Sequence, residues 1–216
     1  MGFKLPVGFS YQHPTTKEWS HHQADPCEEA LTAFVKPAAE ALPLPRRILE
    51  VGFGRGLNTA MSLWWLANQN LNHRVSFLGL EPNPGPLEPW PELPGESQKW
   101  FPWWGNLTEA WQWNHRTTGQ ILALSGIEGL QTMEPGWDWI FLDLFSPNKH
   151  GDAWAAPLAR RLALVASPQA VLTTYSCARK TRLALAEGGW KSEIIRHSHF
   201  RDTLRARLCE FNENSA

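Results

Sequence analysis

The stretch EVGFGRGLN, residues 50–58, decides the fold. It overlaps the end of a short apolar run at residues 47–53, and residues 56–68 then repeat apolar side chains at helical spacing. A glycine loop between a strand and a helix lets the chain reverse with positive φ and brings the backbone close to a ligand. The first turn of the helix then offers free N–H groups to that ligand. We therefore predict a nucleoside-cofactor loop at the carboxyl end of the first strand.

The spacing of the three glycines distinguishes two classes of cofactor. Gly52, Gly54 and Gly56 give G-x-G-x-G, whereas dinucleotide-binding proteins use G-x-G-x-x-G. The acid Glu50, two residues before the first glycine, completes the form that is usual in S-adenosylmethionine-dependent methyltransferases. A nicotinamide-dependent oxidoreductase is the alternative, and the glycine spacing and the lack of a catalytic Tyr-Lys or His arrangement disfavour it. A tight turn without a ligand is the third interpretation.

Strands and helices alternate along the chain, which predicts an α/β fold. We predict a mostly parallel seven-stranded sheet with helices on both faces and an antiparallel C-terminal edge, in one domain of residues 1–216 with a lead-in segment at about 1–45. Asp25 and Pro26 begin the lead-in helix, residues 26–42. The predicted strands are residues 47–53, 74–81, 120–125, 137–145, 170–176, 190–197 and 205–211. The other predicted helices are residues 56–68, 127–133, 153–166 and 178–187.

The composition indicates the cellular compartment and the classes of ligand to expect. No apolar run reaches the roughly 18 residues that a membrane helix needs, and Met1 is not followed by an export signal. The three cysteines are widely spaced, which favours reduced thiols over disulfides or a zinc site. The eight histidines show neither H-x-x-x-H nor HExxH spacing. We expect a cytoplasmic protein with no membrane association and no metal.

Two biases in composition bear on the choice of partner. Residues 1–150 hold 10 Lys/Arg against 15 Asp/Glu, whereas residues 151–216 hold 10 against 6. Clustered cations suit phosphates, although a solvated helix face gives the same pattern. Six of the 13 tryptophans, from Trp90 to Trp113, fall within 24 residues. They either stack nucleobases or, as is more common, pack an irregular segment onto the core.

Two carboxylates follow strands at the edge where α/β sheets bind ligands. Glu81 ends the run FLGLE, residues 77–81, where a carboxylate accepts hydrogen bonds from both ribose hydroxyls of the cofactor. Asp143 begins the turn DLFSP, residues 143–147. If the nucleophile is an amine, a carboxylate here can orient it for in-line displacement and accept its proton. The alternatives are a solvated Glu81 and an Asp143 that caps the following loop.

Four motifs in register carry a resemblance to a known family. They are EVGFGRGLN at residues 50–58, LDLFSP at residues 142–147 with Trp154, TYSCA at residues 174–178 with Arg182, and AEGGW at residues 186–190. Their order and spacing resemble the MnmC-like and MnmD family of bacterial methyltransferases that act on the wobble uridine of tRNA. The resemblance covers roughly residues 9–190.

The resemblance implies a class I methyltransferase (Rossmann-like) fold with S-adenosyl-L-methionine as cofactor and the anticodon loop of tRNA as partner. Family members methylate the 5-aminomethyl nitrogen of (2-thio)uridine 34, which gives 5-methylaminomethyl-(2-thio)uridine. In some bacteria this domain is fused to a flavin-dependent oxidase, and the length of this chain implies the stand-alone form without FAD. A methyltransferase for another substrate and a non-catalytic domain that binds S-adenosylmethionine or tRNA remain as alternatives.

The candidate site residues are predicted from three sources: the glycine loop, the ends of the strands and the resemblance to the family. Asp143 is the predicted catalytic residue. The predicted cofactor-binding residues are Glu50, Gly52, Phe53, Gly54, Gly56, Leu57, Asn58, Glu81, Glu128 and Asp143. Glu128 stands in for the Gly-Asp pair of the family, since the chain reads SGIE at residues 125–128. The predicted substrate-binding residues are Phe145, Pro147, Tyr175 and Arg182, and Arg160, Arg161, Arg179 and Lys180 are candidates for phosphate contacts.

Overall fold

A computed structural model describes seven segments of the chain: residues 5–6, 8–12, 17–21, 25–83, 91–105, 110–148 and 151–209. Trp90, which opens the tryptophan-rich stretch, lies outside them, as does the end of the last predicted strand at residues 210–211. In the described segments no helix is long and apolar enough to cross a membrane.

The predicted α/β fold is confirmed. In the described chain eight strands form one sheet in the order β3-β4-β2-β1-β5-β6-β8-β7. The central strands pair in parallel, while β6 and β7 each pair antiparallel with β8 and form the C-terminal edge. The strands are β1 (Arg47–Val51), β2 (Val75–Leu80), β3 (Trp111–Asn114), β4 (Thr117–Leu122), β5 (Trp137–Leu142), β6 (Ala166–Thr174), β7 (Trp190–Ile195) and β8 (Thr203–Leu208).

The prediction of seven strands was wrong by one. Strand β3 lies in the tryptophan-rich stretch and pairs antiparallel with β4, so it extends the sheet beyond the expected edge. It forms because the indole of Trp111 covers the open face of Gly119 on β4. A Cβ built on Gly119 would lie 2.1 Å from Cζ2 of that ring. Strand β4 also begins earlier than predicted, at Thr117, because Thr117 pairs with Val75 of β2.

The helices follow the predicted pattern with one interruption. They are α1 (Pro26–Ala30), α2 (Lys36–Ala41), α3 (Leu57–Ala67), α4 (Gly95–Gln98), α5 (Gly126–Gln131), α6 (Ala156–Val165) and α7 (Arg179–Glu187), with a 3₁₀ turn at Gly151–Trp154. Asp25 caps α1 as predicted, since its side chain accepts a hydrogen bond from the backbone N–H of Glu28. A π-helical turn, Leu31–Val35, joins α1 to α2.

Two apolar clusters cover the two faces of the sheet. One contains the lead-in helix, α3 and the aromatic residues after α4, and the other contains α6 and α7. The described tryptophans of the tryptophan-rich stretch belong to the first cluster. Phe101, for example, lies edge-on to Trp103 and Trp104 with ring centroids 5.6 and 5.2 Å apart. The structure therefore favours packing over base stacking for this stretch.

Candidate active site

A cavity of about 580 Å³ opens at the carboxyl ends of the central strands. Parallel α/β sheets bind ligands at this edge, because the loops that leave neighbouring strands diverge there. The walls are formed by the glycine loop after β1, residues 81–83 after β2, residues 125–127 after β4, residues 143–146 after β5, and Tyr175 after β6. The sheet topology thus gathers segments that are far apart in sequence into one site.

The glycine loop closes one side of the cavity, and Gly52 and Gly54 have different roles in it. Gly52 has φ 86°, and a Cβ on it would lie 2.3 Å from the carbonyl oxygen of Asp143. Gly54 has φ 52°, and the nearest atom to its Cβ position is the hydroxyl of Tyr11, at 3.6 Å. Gly52 therefore allows β1 and β5 to pack closely at their ends, while Gly54 leaves room for a ligand against the backbone.

Glu81 presents its carboxylate to the cavity from the end of β2. Its Oε2 accepts a hydrogen bond from the backbone N–H of Gly54 at 2.9 Å, and its Oε1 accepts one from Asn83 at 3.1 Å. These bonds fix the carboxylate between two loops that both line the cavity. A carboxylate in this place suits the paired hydroxyls of a ribose.

Asp143 lies at the bottom of the cavity and is held by Asn58 of α3. Nδ2 of Asn58 donates to Oδ2 of Asp143 at 2.7 Å and to Oε1 of Glu50 at 2.9 Å. Oε2 of Glu50 accepts a further hydrogen bond from the hydroxyl of Thr59. In the described chain no residue donates to Oδ1 of Asp143, so this oxygen is available to a substrate.

Burial shifts the two carboxyls toward their neutral forms. It raises the pKa of Asp143 to about 7, against the opposing effect of the Asn58 hydrogen bond. It also raises the pKa of Glu50 to about 8, and the nearby Asp143 adds to that shift. An acid with a pKa near neutrality can exchange a proton with a substrate at physiological pH. Asp143 therefore has the properties of a general base.

Aromatic side chains brace the segment that carries Asp143. The hydroxyl of Tyr175 donates to the carbonyl of Leu144 at 2.6 Å, and Nε1 of Trp154 donates to the carbonyl of Phe145 at 2.7 Å. The Trp154 and Tyr175 rings meet edge to face with centroids 6.0 Å apart. Phe145 and Tyr175 both line the cavity and give it an apolar wall beside Asp143.

The N-terminal segment supplies a wall that the sequence analysis missed. Tyr11 and residues 17–21 line the cavity. A β-bridge between Gln12 and Trp19 makes this segment a hairpin. Arg55 of the glycine loop holds its base, because Nη1 donates to the carbonyls of Gly8 and Phe9 at 2.6 and 2.7 Å. No periodic pattern in the sequence indicates this hairpin.

An ion pair closes the cavity beside Tyr175. Nη2 of Arg201 lies 2.6 Å from Oε1 of Glu29, and its guanidinium lies 4.9 Å from the centroid of the Tyr175 ring. His21 lines the same region, and burial lowers its pKa to about 4, so its imidazole is neutral at pH 7. The sequence analysis missed these residues too, because each reaches the site from a different loop or helix.

Seven of the residues predicted from sequence line the cavity, and seven do not. Those that line it are Gly52, Phe53, Gly54, Glu81, Asp143, Phe145 and Tyr175. Glu50, Gly56, Leu57 and Asn58 are buried outside the lining, and Asn58 hydrogen-bonds both Glu50 and Asp143. Pro147 is buried outside the lining, and Arg182 is exposed on α7.

Glu128, the remaining predicted cofactor residue, is engaged elsewhere. Its carboxylate accepts hydrogen bonds from the N–H and the hydroxyl of Ser125 and completes the capping box of α5. Ser125, Gly126 and Ile127 line the cavity in its place. The adenine contact predicted for Glu128 stays untested, and the geometry favours these three neighbours for it.

Comparison with known proteins identifies the family. The model of a family described as S-adenosyl-L-methionine-dependent methyltransferase matches residues 99–207, half of the chain. The chain belongs to this family. The ribosomal protein L11 methylase of Lactobacillus delbrueckii subsp. bulgaricus shares the fold at 15% identity with a TM-score of 0.52, covering 94% of this chain and 82% of its own. The chain is thus an S-adenosyl-L-methionine-dependent methyltransferase, as its glycine loop predicts.

More similar proteins point to one branch of the methyltransferases. Aquifex aeolicus MNMC2 superposes with a TM-score of 0.80 at 25% identity, covering 92% of this chain and 67% of its own. The tRNA 5-methylaminomethyl-2-thiouridine biosynthesis bifunctional proteins MnmC of Aromatoleum aromaticum and Azoarcus sp. strain BH72 are 33% and 31% identical to it over 159 residues. That alignment covers 68% of this chain, which spans a quarter of the length of either relative. The resemblance to the MnmC-like family is confirmed.

The residues of the methyltransferase cavity fit S-adenosyl-L-methionine. Glu81 can accept hydrogen bonds from the ribose hydroxyls, and the backbone of Gly54, which carries no side chain, lines the same cavity. Ile127, which is exposed, offers apolar surface for the adenine. Among the described residues no group of three or more His, Cys, Asp or Glu side chains is placed to hold a metal ion.

Proposed function

We propose that this methyltransferase acts on the 5-aminomethyl nitrogen of (2-thio)uridine at wobble position 34 of tRNA and forms 5-methylaminomethyl-(2-thio)uridine. The observation that carries the proposal is Asp143, a buried carboxyl with a pKa of about 7 at the floor of the cavity. It lies between the glycine loop and the aromatic wall of Phe145 and Tyr175. The similarity to the MnmC proteins supports the choice of substrate.

The proposed chemistry requires a neutral amine aligned with the methyl donor. S-adenosyl-L-methionine supplies an electrophilic methyl group on its sulfonium when it is bound. Oδ1 of Asp143 accepts a hydrogen bond from the substrate ammonium and takes one of its protons, which leaves the neutral amine. As the lone pair of that amine forms the new N–C bond, the C–S bond of the sulfonium breaks with its electron pair on sulfur, and the methylated product leaves as an ammonium ion. Only the ionised carboxyl can accept that proton, so turnover should fall as the pH drops below about 7.

The rest of the cavity would orient the uridine. Phe145 and Tyr175 provide flat apolar surface for an extruded base, and Asn58 keeps the Asp143 carboxylate in place from behind. The ammonium form of the substrate would enter beside Asp143, whose carboxylate favours a cation there.

The tRNA backbone would run over α7. Arg179 and Arg182 are exposed on this helix, and Nζ of the adjacent Lys180 donates to the carbonyl of Pro147, in the segment that carries Asp143. Lys180 thereby joins α7 to the segment of the proposed reaction centre, and the exposed cations of this helix suit phosphates. A tRNA substrate would place the protein in the cytoplasm.

Nucleoside mass spectrometry tests the proposed function. Purified protein is incubated with S-adenosyl-L-methionine and tRNA from a strain that lacks the gene, and the digested nucleosides are analysed. We expect 5-aminomethyl-(2-thio)uridine to accumulate in that strain and to become 5-methylaminomethyl-(2-thio)uridine on incubation. Unchanged wobble nucleosides in the deletion strain, together with no conversion in vitro, would refute the assignment.

A further inference from the structure

Trp19 lies at the mouth of the active-site cavity with much of its indole in water. It lines the cavity and is 48% exposed. Every other tryptophan in the described parts of the chain is buried or half-buried. An exposed indole forgoes the free energy that burial of its apolar surface provides. A ligand that covers Trp19 would recover that free energy.

The hairpin holds Trp19 in a fixed place. Trp19 forms the β-bridge with Gln12, and the N–H of Ser20 donates to the carbonyl of Tyr11 at 2.9 Å. Oε2 of the preceding Glu18 accepts a hydrogen bond from the N–H of Ser146 at 2.9 Å. Ser146 belongs to the turn that begins at Asp143, so Trp19 is tied to the segment that carries the catalytic carboxyl.

Cations share the rim with Trp19. Lys17 is exposed on the same hairpin and lines the cavity. The Arg201 side chain also lines it and is 61% exposed, so its guanidinium can contact an anion while one nitrogen pairs with Glu29. An aromatic face next to cations is the arrangement that binds single-stranded nucleic acid, because bases stack and phosphates pair with the charges.

We propose that Trp19 stacks on the nucleobase next to the target nucleotide in single-stranded RNA, while Lys17 and Arg201 contact the adjoining phosphates. The cavity of about 580 Å³ takes the cofactor and the target base, so the neighbouring base stays at the rim, where Trp19 lies. The inference rests on the proposed function for the identity of the RNA. It adds a specificity residue that acts on the substrate's flanking sequence.

Kinetics on an anticodon stem-loop that contains 5-aminomethyluridine provide the first test. We expect Trp19→Ala to raise KM for the stem-loop by about 5- to 100-fold, the range for loss of one base-stacking contact, with little change in kcat. Trp19→Phe, which keeps an aromatic face, should recover most of the loss. The control is Leu44→Ala, which truncates an exposed apolar side chain just before β1, outside the cavity lining, and should behave as wild type. Unchanged S-adenosylhomocysteine affinity of Trp19→Ala would show that the fold and the cofactor site are intact.

An abasic substitution separates stacking from any other role of Trp19. The base on each side of the target uridine is removed in turn, and both kcat/KM and stem-loop affinity by filter binding are measured for wild type and Trp19→Ala. We expect the Trp19→Ala penalty to vanish with one of the two abasic stem-loops. An equal penalty on every stem-loop, or none on the intact one, would overturn the inference.

The two readouts also separate this inference from the proposed function. Wild-type protein that binds the stem-loop through Trp19 but does not methylate it would refute the proposed reaction and uphold the stacking contact. If Trp19→Ala methylates the stem-loop with the same kcat/KM as wild type, the reaction is upheld and the stacking contact is refuted.

Discussion

At the residue scale, the chemistry of the cavity depends on how Asp143 is held. Asn58 uses both hydrogens of its amide, one for Asp143 and one for Glu50. A single α3 side chain therefore bridges the buried carboxyl of Glu50 and the half-buried carboxyl of Asp143, and it orients the one that lines the cavity. Burial raises the pKa of Asp143 to about 7 and that of Glu50 to about 8, so both carboxyls exchange protons near neutral pH.

Removing the charge of Asp143 should abolish methyl transfer and spare the cofactor. We expect Asp143→Asn to lower kcat by about 100-fold or more, because an amide cannot accept the proton of the amine. Calorimetry should give an affinity for S-adenosylhomocysteine within a few fold of wild type. Asp202→Asn, which removes a carboxylate that pairs on the surface with Arg196, is the matched control. Near-normal turnover by Asp143→Asn would exclude Asp143 as the proton acceptor.

Glu81 should determine the affinity for the cofactor. We expect Glu81→Gln to weaken S-adenosylhomocysteine binding by about 10- to 100-fold, since hydrogen bonds to a charged acceptor contribute about 1.5–3 kcal/mol each. Isothermal titration calorimetry measures the change. The comparison variant is Glu92→Gln, because Glu92 is exposed and does not line the cavity. Equal affinities for the two variants would contradict the ribose contact.

The site could be predicted from sequence only where one local motif carries it. The glycine loop, Glu81 and Asp143 each follow a recognisable strand, and all three reach the cavity. Trp19, Glu29 and Arg201 come from a hairpin, a helix and a loop that meet only in the folded chain, and nothing in their local sequence marks them. The cofactor contact predicted for Glu128 stays a prediction, and a local capping box engages one oxygen of its carboxylate.

At the element scale, the interrupted lead-in helix has a simple cause. Pro37 has no N–H, so an α-helix that passes through it loses a hydrogen bond. The chain adapts by widening one turn, in which the N–H of Lys36 bonds to the carbonyl of Leu31, five residues earlier. The hydroxyl of Thr173 on β6 donates to the carbonyl of Phe34 and fixes this turn to the sheet. The helical pattern was readable from sequence, whereas this adjustment was not.

Strand β3 was missed for a related reason. It is four residues long and follows a stretch rich in proline, which reads as irregular. Its position depends on the packing of the Trp111 ring over Gly119, a contact between two strands. Such a contact leaves no periodic signal in either strand taken alone.

Filling the space over Gly119 should therefore destabilise this edge. We expect Gly119→Ala to lower the free energy of unfolding by about 1–3 kcal/mol, because the new methyl group displaces the Trp111 ring. Urea denaturation followed by circular dichroism measures the change. Gly95→Ala is the matched control, since a Cβ on Gly95 meets nothing within 4 Å. Equal stability of the two variants would contradict the packing argument.

At the scale of the whole molecule, the sheet topology was predictable because alternating strands and helices leave few arrangements. The carboxyl edge of that sheet then had to hold the site. The faces of the sheet bury two separate apolar clusters, which agrees with the expected layers. The number of strands and the N-terminal wall of the cavity depend on long-range contacts, so they could be established only from the structure.

Global stability should respond to the burial of Glu50. Its pKa rises from an ordinary value of 4.5 to about 8 in the folded protein, so the folded state binds the proton more tightly than the unfolded state. The resulting stability is fully present below about pH 4.5 and is lost as the pH rises through about 8. Glu50→Gln removes this dependence and keeps the shape of the side chain.

The measurement compares the free energy of unfolding of wild type and Glu50→Gln between pH 5 and 8. We expect the variant to gain stability relative to wild type as the pH rises, because wild type must ionise a buried carboxyl. Asp143 is present in both proteins, so the difference between them reports Glu50 together with its electrostatic coupling to Asp143. Parallel curves for the two proteins would contradict a raised pKa.

The hydrogen bonds from Arg55 to the carbonyls of Gly8 and Phe9 would make the cofactor and the proposed RNA substrate thermodynamic partners. Arg55 belongs to the glycine loop that lines the cavity, and the residues that it contacts precede the hairpin that carries Trp19, the proposed RNA contact. A ligand that orders one of these segments also helps to order the other. The second ligand then loses less conformational entropy on binding. Linkage then demands reciprocity: whatever factor the cofactor adds to the affinity for RNA, the RNA must add to the affinity for the cofactor.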